Sequence, residues 1–286
     1  MKKPIHSLKA FSLTILILIF IAMLTLSCAY RAGSSPKIIR IKGSDTMLIL
    51  TKRWAESYMT THPGISIYPE GGGSATGIQA LINGRVDICA ASRPLTSDEV
   101  KPLTEKFGNI GISFLVAKDA LSIYVNPDNP VKDITLKQAK EIFSGKIQNW
   151  KSVGGNDKPI KVFIRPQTSG THLYFKEHIL EGDEYGANAI PIPTTAAIVD
   201  SVLSNPNGIG YGGTAYGSKV VHCQINGINP SEENVHYDLY PLSRYLYFYT
   251  VKKPQGEVKR FIDWVISPQG QKIVREVGYI SLWENQ

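Results

Sequence analysis

Three short segments of this chain follow one pattern: a β-rich run, a turn of glycine with serine or threonine, then an amphipathic stretch. They are Gly43-Ser44-Asp45-Thr46, Gly73-Ser74-Ala75-Thr76 and Ser169-Gly170-Thr171. Strand, turn and helix recurring in that order restrict the fold to an α/β class, with helices covering mostly parallel sheets. Each turn also sets hydroxyls and unpaired backbone N–H groups at a helix start, where the helix dipole favours negative charge. Any one of them alone is an ordinary N-cap. Two early in the chain and one late point instead to a shared anion site in a cleft between two halves, where open α/β sheets take ligands.

The rest of the chain alternates in the same way. Strands are predicted at Lys37–Ile41, Ile65–Tyr68, Val86–Ala90, Ile112–Val116, Leu121–Val125, Ile160–Ile164 and Tyr245–Tyr249, with a short Gly-rich one from Gly208. Helices are predicted at Met47–Thr60, Thr76–Asn83, from about Thr96, and at Thr135–Phe143, His172–Leu180, Thr194–Leu203, Glu257–Ser267 and Pro268–Val277. The turn-rich Asn126-Pro127-Asp128-Asn129-Pro130 reads as a crossover, and the aromatic strand at Tyr245–Tyr249 as core and hinge. With 286 residues, two lobes are expected: residues 37–123 with 243–286, and residues 124–242.

The N-terminus begins Lys2-Lys3, continues through an apolar run from Ala10 to Leu26 and reaches Ser27-Cys28, with no acidic residue before Asp45. A basic start, an apolar core and a small residue at a cut site predict an export signal over residues 1–27. The alternative is a transmembrane anchor, at the short limit of a span. Cys28 resembles the lipid-attachment cysteine of bacterial lipoproteins, although Thr25 stands where that motif carries an aliphatic residue. The resemblance implies a lipid on Cys28, a polar leash over residues 28–36 and a protein tethered to a membrane face outside the cytoplasm. Removing the leader takes away Lys2, Lys3 and Lys9 and leaves 28 basic against 24 acidic residues. That balance is too mild for nucleic acid but suits a small anion. Cys89 and Cys223 each lie in an apolar run and are expected to be buried and unpaired.

A cation joins the turns. Arg165 stands at a strand end four residues before Ser169, offering paired donors on a charge that cannot be switched off. Arg93, after Ala90-Ala91-Ser92, holds a comparable place in the first half. Here the chain resembles the phosphate-binding proteins of bacterial phosphate ABC importers, a branch of the two-lobed class II periplasmic binding proteins. The likeness lies in Ile41-Lys42-Gly43-Ser44-Asp45-Thr46, Glu70-Gly71-Gly72-Gly73-Ser74, Ala90-Ala91-Ser92-Arg93 and Arg165 through Thr171. Ile142-Phe143-Ser144-Gly145, Asn149-Trp150 and Gly208-Ile209-Gly210-Tyr211 add to it. The resemblance implies phosphate oxygens bound by Ser44, Thr46, Ser74, Arg165, Ser169, Gly170 and Thr171, with Asp45, Ser92 and Arg93 in the same site. It further implies delivery to permease subunits by a monomer that needs no cofactor and makes or breaks no bond.

One departure bears on specificity. Some members of that family have an aspartate where Arg93 stands, and it accepts the proton of bound phosphate. Two readings of Asp45 follow: it takes over as that acceptor, or it caps its own helix, while Arg93 adds charge or packs at the rim. Other oxyanions such as sulfate or molybdate are alternatives, as is a surface interaction protein that keeps the fold without the ligand. An exported phosphoester hydrolase is a more distant rival: Gln167-Thr168-Ser169-Gly170-Thr171 lacks the nucleophile-elbow glycines, and no His/Asp pair is marked. The scattered histidines have no metal-ligand spacing.

Overall fold

The computed structural model describes residues 37–283. The predicted export signal, Cys28 and the leash lie outside the described residues. Among those described, no helix is long and apolar enough to cross a membrane. Ten strands are β1 (Lys37–Gly43), β2 (Ile65–Glu70), β3 (Ile88–Ala91), β4 (Ile112–Val125), β5 (Asp133–Ile134), β6 (Lys161–Ile164), β7 (Ile190–Pro191), β8 (Gly208–Gly213), β9 (Val221–Ile225) and β10 (Ser243–Thr250). The helices are α1 (Asp45–Thr61), α2 (Ser74–Ile82), α3 (Ser97–Phe107), α4 (Leu136–Phe143), α5 (Gly170–His178), α6 (Thr195–Leu203), α7 (Glu232–His236), α8 (Gly256–Ile266) and α9 (Pro268–Val277).

The strands hydrogen-bond in the order β2-β1-β3-β10-β4-β8-β6-β7, with β9 also on β4 and β5 on β9. The sheet is mixed: β1 with β3, β6 with β8 and β6 with β7 run parallel, whereas β10 is antiparallel to both β3 and β4. Two main apolar clusters sit against it. In one, Ile39 and Ile41 of β1 pack with Leu50 and Trp54 of α1, Phe248 of β10, and Phe261 and Val274 of α8 and α9. In the other, Ile123 and Val125 of β4 pack with Phe143, Trp150, Phe175 and Tyr211. Trp54 meets Phe248 edge-on at 5.6 Å and Phe143 meets Phe175 at 4.5 Å, the geometry aromatic quadrupoles favour. Each fully buried aliphatic or aromatic side chain contributes about 1.5–3 kcal/mol from removal of apolar surface. Cys89 and Cys223 are buried and free, as their apolar settings predict.

One sequence expectation is overturned. The strands predicted at Ile112–Val116 and Leu121–Val125 are a single strand, β4, which pairs with β10 through Ala120 and with β8 from Leu121 onward. The charged dipeptide Lys118-Asp119 reads as a break because bare charges are costly in a buried strand. Here each is paired: Lys118 with Asp238, Asp119 with Arg244. β4 therefore passes from one apolar cluster to the other itself. The Asn126–Pro130 turn lies beyond that passage, tied to α6 by Asn126 Nδ2 donating to the carbonyls of Val202 and Leu203.

Candidate anion site

The site grows from the ends of β1, β2 and β3. In β1 the inward residues alternate, Ile39, Ile41 and Gly43, which carries the chain into the sheet interior just before Ser44. Ser44 N–H donates to Ala90 O of the neighbouring strand at 2.8 Å, and Gly73 N–H donates to Gly43 O at 2.9 Å. These two bonds lock the three loops side by side. Ser92 N–H then donates to Ser74 Oγ at 3.2 Å, with the two Oγ atoms 3.5 Å apart. Neither Ser44 nor Gly73 supplies a side-chain cap to the helix that follows it.

From the other half, β6 ends at Arg165 and α5 begins at Gly170. Ser169 caps α5 in the ordinary way, accepting from His172 N–H at 3.4 Å. The Cα of Gly170 lies against Ser74 and Ser92: a β-carbon there would stand 2.3 Å from Ser74 Oγ and 2.8 Å from Ser92 Oγ. Thr46 Oγ1 and Thr171 Oγ1 are hydrogen-bonded at 2.9 Å, and Ala75 N–H donates to Thr168 O at 3.2 Å. Ser44, Asp45, Thr46, Ser74, Ser92, Arg165, Ser169, Gly170 and Thr171 are all buried. Residues more than a hundred positions apart in the chain are thus brought into one buried polar cluster.

Arg165 is only 1% exposed. Its Nη1 donates to Thr195 Oγ1 at 2.7 Å, and its Nη2 to Asp45 Oδ2 at 2.7 Å and Pro193 O at 3.0 Å. A guanidinium has five N–H donors. Three are engaged, and Nε is buried with no partner among the described residues. Burial pulls the Arg165 pKa below its ordinary value, opposed by the Asp45 carboxylate, and the group stays charged. Asp45 does not cap its own helix. Its Oδ1 accepts from Gly72 N–H at 2.9 Å, and its backbone carbonyl accepts from Tyr216 OH at 2.7 Å. Burial pushes Tyr216 up to about 12, so its hydroxyl keeps the proton it donates.

Arg93 is the predicted residue held apart from this cluster. Its two terminal nitrogens form a bidentate pair with Glu99 at 2.7 Å each, and Nη1 also donates to Pro94 O. Glu99 accepts from Thr96 N–H as well, so the start of α3 holds the arginine at the edge of a 510 Å³ surface hollow. Four contributors escape sequence reasoning: Thr195, Tyr216, Asp119 and Arg244. Thr195 and Tyr216 carry no signal, since Thr195 is an ordinary first helical residue and Tyr216 ends a single 3-10 turn. Arg244, just ahead of an aromatic run, and Asp119, inside an apolar one, did carry a signal: a charge in a strand demands a partner.

His172 links the site to stability. Its Nδ1 lies 2.7 Å from Arg165 O, a carbonyl that can only accept, so Nδ1 carries the proton. Burial is the main reason its pKa falls below the ordinary 6.5, and His222 is lowered by burial in the same way. Each takes up its proton less readily in the folded protein than in the unfolded chain, which takes up protons below pH 6.5. Stability therefore falls as pH drops through that value. The urea midpoint is expected to decline between pH 7.5 and 5.5, and His172→Gln to decline less over the same interval. An equal decline in both proteins contradicts the assignment.

A family model described as a PBP superfamily domain matches residues 31–269. Phosphate-binding protein PstS of Pseudomonas aeruginosa is 34% identical over 263 residues, covering 84% of this chain and 81% of its own length. Phosphate-binding protein PstS of Bacillus subtilis is 34% identical over 245 residues, covering 85% and 80%. Among solved structures, one described as a phosphate ABC transporter substrate-binding protein from Clostridium perfringens, with bound phosphate, superposes with a TM-score of 0.80. It is 32% identical and covers 86% of this chain and 100% of that chain. An ABC-type phosphate transport receptor from Vibrio cholerae gives a TM-score of 0.70 at 30% identity, covering 85% and 99%.

Proposed function

We propose that this chain, which belongs to the PBP superfamily and within it to the family of phosphate-binding proteins named PstS, captures inorganic phosphate and delivers it to an ABC importer. The observation that carries this reading is the meeting of Ser44, Thr46, Ser74 and Ser92 with Arg165, Gly170 and Thr171 in one buried polar cluster, where Arg165 still has uncommitted donors. A phosphate dianion entering there exchanges water for charge-assisted and backbone hydrogen bonds, which offset its desolvation. Residues 37–123 with 243–286 act as one lobe and residues 124–242 as the other. Ligand held by both favours the closed arrangement over the open one, and a population shift needs that difference in affinity. Permease subunits then distinguish loaded from empty protein, and no bond is made or broken. Export through the signal at residues 1–27 and a lipid on Cys28 place the monomer at the outer membrane face or in the periplasm.

Asp45 is the acceptor that selects phosphate. An ionised carboxylate has about four lone-pair positions; Arg165 and Gly72 N–H use two of them. The rest can receive the proton of phosphate, whereas sulfate has no proton at neutral pH and would set its lone pairs against those of Asp45. Arg93, paired with Glu99, packs at the rim, where that carboxylate balances its charge. In calorimetric titrations Asp45→Asn is expected to weaken phosphate by about tenfold or more and to admit sulfate, since a lost acceptor removes the discrimination. Unchanged phosphate affinity with sulfate still rejected would eliminate the role of Asp45. Absence of any heat from phosphate with the unaltered protein would eliminate the function.

A further inference from the structure

Beside the anion site lies another buried arginine, on β10. Arg244 is 5% exposed and Asp119 fully buried, and they stand directly opposite each other in the β10–β4 ladder. Asp119 Oδ2 accepts from Nε at 2.9 Å and from Nη2 at 2.7 Å, a two-pronged hold on one edge of the guanidinium. The face of Arg244 lies over the Tyr174 ring at 5.4 Å, and Tyr174 OH donates to Ser243 O. So braced, the remaining nitrogen, Nη1, reaches two residues of the anion site: Thr171 Oγ1 at 3.1 Å and Ser92 O at 3.4 Å.

We infer that Arg244, clamped by Asp119, is a positioning residue for the anion site, setting the hydroxyls of Thr171 and Thr46 to donate rather than accept. This rests on the phosphate-binding reading above. A guanidinium donates and never accepts, so the bond to Thr171 Oγ1 occupies a lone pair of that hydroxyl and takes no proton from it. Thr171 and Thr46 share one further hydrogen bond, which uses one of their two hydroxyl protons. One proton is left over, whichever threonine holds it, and an entering oxyanion is its acceptor. Without Arg244 the same two hydroxyls are free to turn round and accept a proton from the ligand. Arg244 thereby favours the phosphate dianion, whose single proton Asp45 receives, over a more protonated form, without itself touching it, and ties that preference to the two strands that run between the apolar clusters.

The test is a double-mutant cycle between Arg244→Gln and Thr171→Val, read by phosphate titration at several pH values from 6 to 8.5. Arg244→Gln is expected to weaken phosphate about tenfold in the natural background and less than about twofold when Thr171 is already valine, because contacting residues couple while independent ones add. The gain in affinity from pH 6 to 8.5 is expected to be smaller in Arg244→Gln than in the natural protein. Equal factors in both backgrounds with an unchanged pH profile would overturn the inference and leave Arg244 a purely structural pair with Asp119. Should Arg244→Gln not fold, the paired change Asp119→Leu with Arg244→Met replaces both charges by apolar groups, a swap that buried ion pairs often tolerate. That protein is expected to show the same weakening and the same flattened profile; natural affinity in it overturns the inference. Failure of the unaltered protein to bind phosphate would overturn both readings, whereas additivity in a protein that binds overturns only this one.

Discussion

Replacing Arg165 by glutamine is expected to weaken phosphate by roughly 30- to 4,000-fold, from the about 2–5 kcal/mol that truncation of a buried, hydrogen-bonded charge costs. The loss has two sources. The ligand forfeits a buried guanidinium whose Nε has no partner among the described residues, and Asp45 loses its partner at 2.7 Å. An uncompensated carboxylate then faces the incoming anion. The two sources separate experimentally: Arg165→Gln combined with Asp45→Asn removes the stray charge and is expected to restore thermal stability while leaving phosphate binding poor. Arg165→Lys keeps the charge but not the planar fork that also holds Thr195 and Pro193 O, so it is expected to fall between the two. Isothermal titration of the four proteins checks the series. Affinity for Arg165→Gln within about threefold of the natural protein would contradict the placement of Arg165 at the centre of the site, given the about tenfold per 1.4 kcal/mol conversion.

The second large effect falls on Gly73. Its φ is +98°, a region that side chains rarely adopt, and a β-carbon there would meet Thr168 O at 2.3 Å. Thr168 belongs to the segment that carries Ser169, Gly170 and Thr171. Gly73→Ala therefore pushes the Gly73-Ser74 turn away from Thr168 and the start of α5, which the proposed site brings together, on top of about 1–3 kcal/mol of backbone strain. Phosphate affinity is expected to drop by more than about tenfold, because under the proposed closure a clash met only when the lobes close subtracts directly from binding. Gly84→Ala is the control: its φ is +67° but nothing lies within 4 Å of the added carbon. It should lower the melting temperature without moving the affinity. Equal effects of the two substitutions on binding would show that strain alone, rather than contact with Thr168, is at work.

How much was legible beforehand follows from the range over which each signal acts. The turns Gly43-Ser44-Asp45-Thr46 and Ser169-Gly170-Thr171 announce helix starts because hydroxyls and glycines at those places are local backbone chemistry. The structure sets α1 and α5 there. Strand boundaries followed alternation and were close. β4 was read as two pieces because Lys118 and Asp119 look unpaired in sequence; their partners, Asp238 and Arg244, lie over a hundred residues away. Position in the chain groups Arg93 with the site, and the carboxylate that occupies it, Glu99, sits in the first turn of α3. No local rule says which of two nearby arginines will be occupied.

From the linear chain alone came the α/β alternation, the helix starts with their donors, and the burial of Cys89 and Cys223, since each follows from the chemistry of a few adjacent residues. Tertiary structure alone decided that Asp45 reaches Arg165 instead of capping its own helix, that Arg93 is held by Glu99, and that Asp119 and Arg244 stand under Thr171. Those outcomes depend on which groups meet across the sheet, and a charge buried in a protein takes whatever partner the packing brings within hydrogen-bond reach, however distant in sequence.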